Sequence, residues 1–398
     1  MLSRIVIAAS VLLLTLPGTA LSGARVKIGF INTITGAEAP IGENLTNGVL
    51  LAAEDLKKRG IDVELVKEDD TGKPEKALSA FEKLATRDNV AGVVGPYTSS
   101  CANAVASQAD KYMVPQLIPA AAKEEITQKG YKYVFRLNAP ADVYSSVIMD
   151  AIMTKDRPRT IAYIYTNTDF GTSTVKTAQA YAAKLGIKEV ANEKYQKGAP
   201  DFRSTLSKIK SLNPDLIFMV SYEVDAITLM RQAKELGVTP KAFLGAGAGF
   251  TTAQFLAQKE ISNHVYSSTQ WTDDAGWPGA SDFALRYRSR FGKEPTYHAA
   301  CAYESMRIMA ETAAANNGDR AKVRAGLKSG SWKGIMGDVK FVDYDRFTNQ
   351  NRHEMLVQQI QDGNYETVYP PRYATSKPVY PFSWNAAVPV KNRAPRQK

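Results

Sequence analysis

The chain has 398 residues, of which 44% are apolar and 23% charged. This composition excludes a disordered or fibrous polymer and is long enough for two ordinary globular domains. The formal charge of +10 is spread thinly, not gathered into a basic stripe with interleaved aromatics, which argues against nucleic-acid binding.

Residues 1–22 read as a secretory signal, with Arg4, an apolar run over 5–16, then Pro17, Gly18 and small residues. Cleavage is expected after Ala20, Ser22 or Ala24, and no cysteine follows to carry a lipid, so the mature chain is expected to be soluble in the periplasm. No later run approaches the ~20 apolar residues of a bilayer span. Cys101 and Cys301 would face an oxidising compartment, where a disulfide and two free thiols are both open and buried free thiols are favoured.

Residues 25–32 (RVKIGFIN) alternate as a strand, and TITGAEAPIG leads into a helix with Leu45, Val49, Ala52, Ala53 and Leu56 on one face. A strand at 62–69 and a helix opened by Pro74 follow. The central stretch, GVVGPYTSSCANAVASQADKYMVPQLIPAAA over 92–122, places two strand ends beside one helix start. Thr98, Ser99 or Ser100 can cap that helix, and its free N–H groups beside a hydroxyl suit an anion. The second strand ends in Pro119 and three alanines, small residues that let a ligand approach the backbone. Alternating strands and helices imply parallel sheets with right-handed crossovers, and ligands at the carboxyl ends of strands.

After a strand at 133–140 and a helix at 142–153 the pattern repeats. TIAYIYT over 160–166 is followed by NTDFGTSTV and a helix, and PDLIFMVS over 214–221 by Tyr222 and a helix. A third strand at 242–244 opens into GAGAGFTT. This loose duplication predicts two similar doubly wound α/β lobes with a ligand between them. Residues 25–138 and 270–338 are expected to form lobe I, 139–269 and 339–370 lobe II, and 371–398 a proline-rich basic tail, extended on the surface or disordered. Helices are expected at 279–291, 297–315 and 319–328. A third crossing is expected at 339–347, then a hairpin over 356–369.

His264, His298 and His353 lack ligand spacing, so no metal centre is expected. GAGAG over 245–249 is a weak dinucleotide match, and neither a phosphate-loop nor a nucleophile-elbow motif occurs. No cofactor is implied. Adjacent carboxylates such as Asp69 and Asp70 read as solvated loop residues, although an enzyme on the same fold stays open because catalytic groups need not form a local motif.

The ordered set IGFINTITGAEAPIGENLTNGVLLAAEDL, GVVGPYTSS, PQLIPAAA, YTNTDFGTSTVKTAQAYAAKLG, the 199–237 segment and DGNYETVYP resembles the periplasmic leucine/isoleucine/valine-binding family. The resemblance implies two doubly wound parallel-sheet lobes joined by three segments, hinge closure on a small molecule, and a membrane permease of an ABC importer as partner. It also implies a monomer and no catalysis. Ser99, with Tyr97 and Thr98 in the same turn and the backbone of Ala120 and Ala122, inherits the carboxylate site. Ala122 stands where the family has threonine. Gly247 stands where amino-acid binders place the acidic partner of the α-ammonium. Ile41, Phe170, Tyr222 and Tyr297, or His298 beside it, inherit wall positions. A carboxylate with an aromatic or medium-chain body is therefore expected, with a branched-chain amino acid or amide as the alternative and Glu223 or Asp225 as possible substitutes for the lost ammonium partner.

N-terminal sequencing of exported protein should begin between residues 21 and 25; a mature chain retaining Met1 overturns the signal reading.

Overall fold

The computed structural model describes residues 24–385; the leader expected at 1–22 and the last part of the tail lie outside them. Strand β1 (Ala24–Asn32) is followed by α1 (Ala39–Lys58), β2 (Ile61–Asp69), α2 (Pro74–Thr86), β3 (Gly92–Val94), α3 (Ser99–Tyr112), β4 (Gln116–Ile118) and β5 (Val134–Arg136). The chain then crosses to a second unit: α4 (Ala141–Met153), β6 (Thr160–Thr166), α5 (Asp169–Lys184), β7 (Lys188–Tyr195), α6 (Arg203–Leu212), β8 (Leu216–Val220), α7 (Glu223–Glu235), β9 (Ala242–Gly245), the short α8 (Ala253–Ala257) and α9 (Lys259–Ser262), and β10 (Tyr266–Thr269). It returns as α10 (Ala280–Phe291), α11 (Tyr297–Ala315), α12 (Arg320–Ser329), a small ribbon β11 (Trp332–Gly334) with β12 (Gly337–Val339), β13 (Phe341–Tyr344) and β14 (Phe347–Asn351). It ends in the hairpin β15 (Leu356–Gln361) and β16 (Asn364–Tyr369).

Two seven-stranded sheets result, ordered β2-β1-β3-β4-β5-β14-β13 and β7-β6-β8-β9-β10-β15-β16. The first five strands of each pair in parallel, as the alternation with helices requires. The duplication read from the sequence is thus present in strand order. It extends to single atoms: a Cβ on Gly42 in α1 would lie 1.8 Å from the carbonyl oxygen of Thr33, and one on Gly171 in α5 would lie 2.0 Å from that of Thr166. In each lobe the helix after the first strand packs so close to the end of that strand that only a hydrogen fits.

The third crossing lies elsewhere than expected. Residues 339–351 were assigned to lobe II, but β13 and β14 complete the first sheet and the chain crosses after Asn351. Buried amides fix this docking: Asn349 Nδ2 donates to the carbonyl of Val134 (3.1 Å) and Asn351 Nδ2 to that of Leu137 (3.0 Å). Hydrophobic pattern alone does not reveal which sheet edge such bonds will select. The described part of the tail runs along lobe II and is anchored there, with Phe382 4% exposed, its ring 4.8 Å from that of Phe243, and Trp384 Nε1 donating to the carbonyl of Val238 at 3.0 Å. Cys101 and Cys301 are buried and unlinked.

Alanine at Gly42 or at Gly171 should destabilise by about 1–3 kcal/mol through overpacking against backbone. Urea midpoints decide; unchanged midpoints in both variants would show that the helix can move away at no cost.

Candidate functional site

Thr98, extended at φ −74° and ψ 146°, caps α3, its hydroxyl oxygen accepting from the N–H of Cys101 at 3.3 Å. That leaves Ser99 free for another task. Its Oγ accepts from the N–H of Ala122 (3.2 Å) and of Lys123 (3.3 Å), which binds the start of α3 to the loop after β4. With two donors on its oxygen, the hydroxyl proton is left to be given outward. The expectation that the N–H of Ala122 faces the ligand is not met, because the loop turns that group back onto Ser99. Arg136 stands behind the same loop with no exposed surface, donating to the carbonyl of Lys123 (2.6 Å), the hydroxyl of Thr127 (2.8 Å) and Oε1 of Gln350. Burial lowers its pKa to about 10, so the guanidinium remains charged near neutrality.

Across the cleft, Tyr97, Thr98, Ser99, Ala120 and Tyr297 from lobe I meet Phe170, Tyr222 and Ala248 from lobe II. They surround about 10 Å³, room for about one water, so the cleft is shut in this structure. The walls are aromatic and mutually packed, with Tyr97 and Tyr222 centroids 6.4 Å apart, Phe170 and Tyr222 5.8 Å apart, and His298 stacked on Tyr297 at 3.9 Å. Of the expected site residues, Tyr97, Thr98, Ser99, Ala120, Phe170, Tyr222 and Tyr297 come together here. Ile41 is 1% exposed in the main core and does not line the cavity. Its register on α1 turns it inward, where the helix face seen in sequence is continuous.

Gly247 borders the cavity at φ +65°, where a Cβ would meet Tyr144 Cε1 at 2.9 Å, the Ser268 carbonyl oxygen at 3.2 Å and the Tyr297 hydroxyl at 3.3 Å. An acidic side chain has no room at this position in the closed cleft. Tyr144, which sequence reasoning missed, fills that space from α4. Its hydroxyl receives Gln270 Nε2 and is hydrogen-bonded to Tyr297, whose oxygen in turn accepts from the N–H of Ala248 at 3.2 Å. The signal for Tyr144 in the sequence is slight, a tyrosine one turn into a helix of mixed polarity.

Burial, the largest cause, pushes the phenol of Tyr144 up to about 12 and those of Tyr97 and Tyr297 well above their usual range. All stay protonated. The Tyr97 hydroxyl, on a residue 4% exposed, has no hydrogen-bond partner among the described residues. His298 is 1% exposed and burial holds its pKa near 3, so the ring is neutral.

Charge is confined to the rim. Glu38, before α1, pairs with Lys197 of lobe II at 2.6 Å, and Lys123 of lobe I pairs with Asp169 of lobe II at 3.0 Å. Neither suggested substitute for an ammonium partner reaches the cavity: Glu223 is hydrogen-bonded to Thr252, and Asp225 accepts the N–H of Gly198 at 3.1 Å.

A sequence profile described as periplasmic binding protein matches residues 25–364. The chain belongs to that family, as a type I substrate-binding protein of the Leu/Ile/Val-binding branch that serves ABC transporters. It is 28% identical over 385 residues to Leu/Ile/Val-binding protein homolog 7 of Brucella suis biovar 1 (strain 1330), covering 91% of this chain and 96% of that one. Its fold matches the branched-chain amino acid transporter substrate binding protein LivJ from Streptococcus pneumoniae in complex with isoleucine, with TM-score 0.75 and 26% identity over 87% of this chain and 99% of that one. It also matches a solute binding protein from R. palustris in complex with benzoate, with TM-score 0.79 and 18% identity over 86% and 95%. Among the described residues no helix is long and apolar enough to cross a membrane.

His298 gives this site a pH signature. The folded pKa near 3 lies below the ordinary 6.5, so between these values the unfolded chain binds a proton that the folded chain refuses. Stability is therefore lost as pH falls from 6.5 towards 3. His298→Gln should remove up to about 1.4 kcal/mol per pH unit from that slope. Urea unfolding at several pH values across this window measures it; an unaltered slope in the variant would mean that His298 titrates freely in the native protein.

Proposed function

We propose that the chain is an exported periplasmic receptor, monomeric and without catalytic activity, that delivers a small organic carboxylate with an aromatic or medium-chain body to the membrane permease of an ABC importer. The observation that carries this reading is the chemistry of the cavity wall. Donors converge on one end: the Ser99 hydroxyl, polarised by two backbone N–H groups, the unpartnered Tyr97 hydroxyl and the N-terminus of α3. The Arg136 charge lies behind them. No acidic residue lines the cavity, so a buried α-ammonium would go unpaired, at a cost of about 2–5 kcal/mol. Phe170, Tyr222 and Tyr297 offer ring faces and edges to an apolar body.

The second reading is a branched-chain amino acid, favoured by the Brucella relative's name and by isoleucine in the S. pneumoniae protein. Since the same fold holds isoleucine there and benzoate in the R. palustris protein, fold alone leaves the ligand open and the wall residues carry the choice. The route left to an ammonium is Glu38, which would first have to give up Lys197.

A thermal-shift panel of leucine, isoleucine and valine against benzoate, 3-phenylpropionate and hexanoate discriminates the two. Stabilisation by the acids is expected; stabilisation by leucine or valine alone refutes the proposal. Ser99→Ala should weaken the bound acid by roughly tenfold to a hundredfold, the worth of one charge-assisted hydrogen bond.

A further inference from the structure

We propose that Glu38 and Lys197, together with Lys123 and Asp169, form a latch across the mouth of the cleft that holds part of the ligand-free population shut. Among the ion pairs of the described residues, these are the two that join a side chain of one sheet's lobe to a side chain of the other. They flank the cavity on separate sides. Lys123 follows Ala122 and Asp169 precedes Phe170, while the Lys197 ammonium lies 5.9 Å from the centroid of the Tyr222 ring. Each lobe supplies one cation and one anion, so the pairing also specifies how the lobes meet. A displacement bringing Glu38 towards Asp169 would oppose like charges.

The two pairs are unequal. The Glu38 side chain is 1% exposed and neither of its carboxylate oxygens accepts a hydrogen bond among the described residues, which leaves the ion pair to the Lys197 ammonium at 2.6 Å as its compensation. Its charge is thus tolerated in the shut form through a residue that belongs to the opposite lobe. When the lobes part, Lys197 leaves and water replaces it. Removing Lys197 alone therefore does more than delete an attraction: it leaves a buried carboxylate uncompensated in the shut form and none in the open one. Lys123 and Asp169, with side chains 18% and 32% exposed, are reinforced by Asn103 Nδ2 donating to Asp169 (3.4 Å) and by the N–H of Glu124 donating to Ser173 Oγ (3.4 Å). This second pair is more hydrated and contributes less. For any ligand that needs the shut form, affinity scales with the fraction already shut.

The latch is tested without ligand, so its outcome is independent of the carboxylate proposal. Full-length mature chain, stripped by unfolding and refolding, is spin-labelled at Lys76→Cys on α2 and Lys176→Cys on α5; the native cysteines are buried. Pulsed dipolar distances should show a short and a long population. Lys197→Met should lower the short-to-long ratio by roughly tenfold or more, Asp169→Asn should lower it less, and Glu38→Gln with Lys197→Met should recover most of it. A wild-type chain showing the long distance alone overturns the latch, as does an unchanged ratio in Lys197→Met or a double variant as open as that single one. If Lys197→Met melts early by circular dichroism, the exchange of Glu38→Lys with Lys197→Glu decides: it should keep the short population, and its loss overturns the proposal.

Discussion

A guanidinium with no exposed surface organises the loop that borders the cleft. Arg136, at the end of β5, reaches the carbonyls of Ala121 and Lys123, the hydroxyl of Thr127 and the amide oxygen of Gln350. A buried charge is tolerated only with such saturation, and the acceptors that supply it come from the cavity loop, the turn after it and the last strand of the lobe. One side chain therefore ties the loop after β4 to the β13–β14 hairpin. The loop is thereby held in place, so it needs little ordering on binding.

Around that anchor, the architecture repeats. Both sheets grow outward from their first strand in the same order, and both pack the helix after that strand through a glycine against the strand end. Parallel strands put all their carboxyl ends on one side, so two such lobes facing each other bring loops from both into one cleft. The crossings after β5, β10 and β14 lie together at the remaining side, where they act as a hinge. In this structure the cleft between the lobes narrows to a space of about 10 Å³.

The inner surface of that space is almost free of charge. Its phenols are held protonated and His298 neutral, all by burial. Full charges stand outside the cavity, in Arg136 behind the loop and in the paired groups of the rim. Such a site distinguishes ligands by what it does not supply. Its wall offers hydroxyl donors and aromatic rings, and Tyr144 occupies the volume that an acidic side chain at position 247 would need.

Local pattern determined much of this without any coordinates. Apolar alternation and helical spacing marked the parallel strands and their helices, the hydroxyl-rich TSS turn marked the helix start, and the repeat of strand, loop and helix marked two lobes with a cleft between them. These are properties of neighbouring residues, and they survive reading one chain at a time. Tertiary structure alone decided the rest. Which sheet received β13 and β14 depended on buried amides of Asn349 and Asn351 finding carbonyls more than 200 residues away. Ile41 lies in the core rather than on the cavity wall, Tyr144 fills the space beside Gly247, and Arg136 lies behind the loop after β4, because each position follows from how separate helices and strands pack. The rim pairs joining Glu38 to Lys197 and Lys123 to Asp169 have no local signature, since a charge becomes a partner only when closure brings its counterpart within reach and removes the water between them.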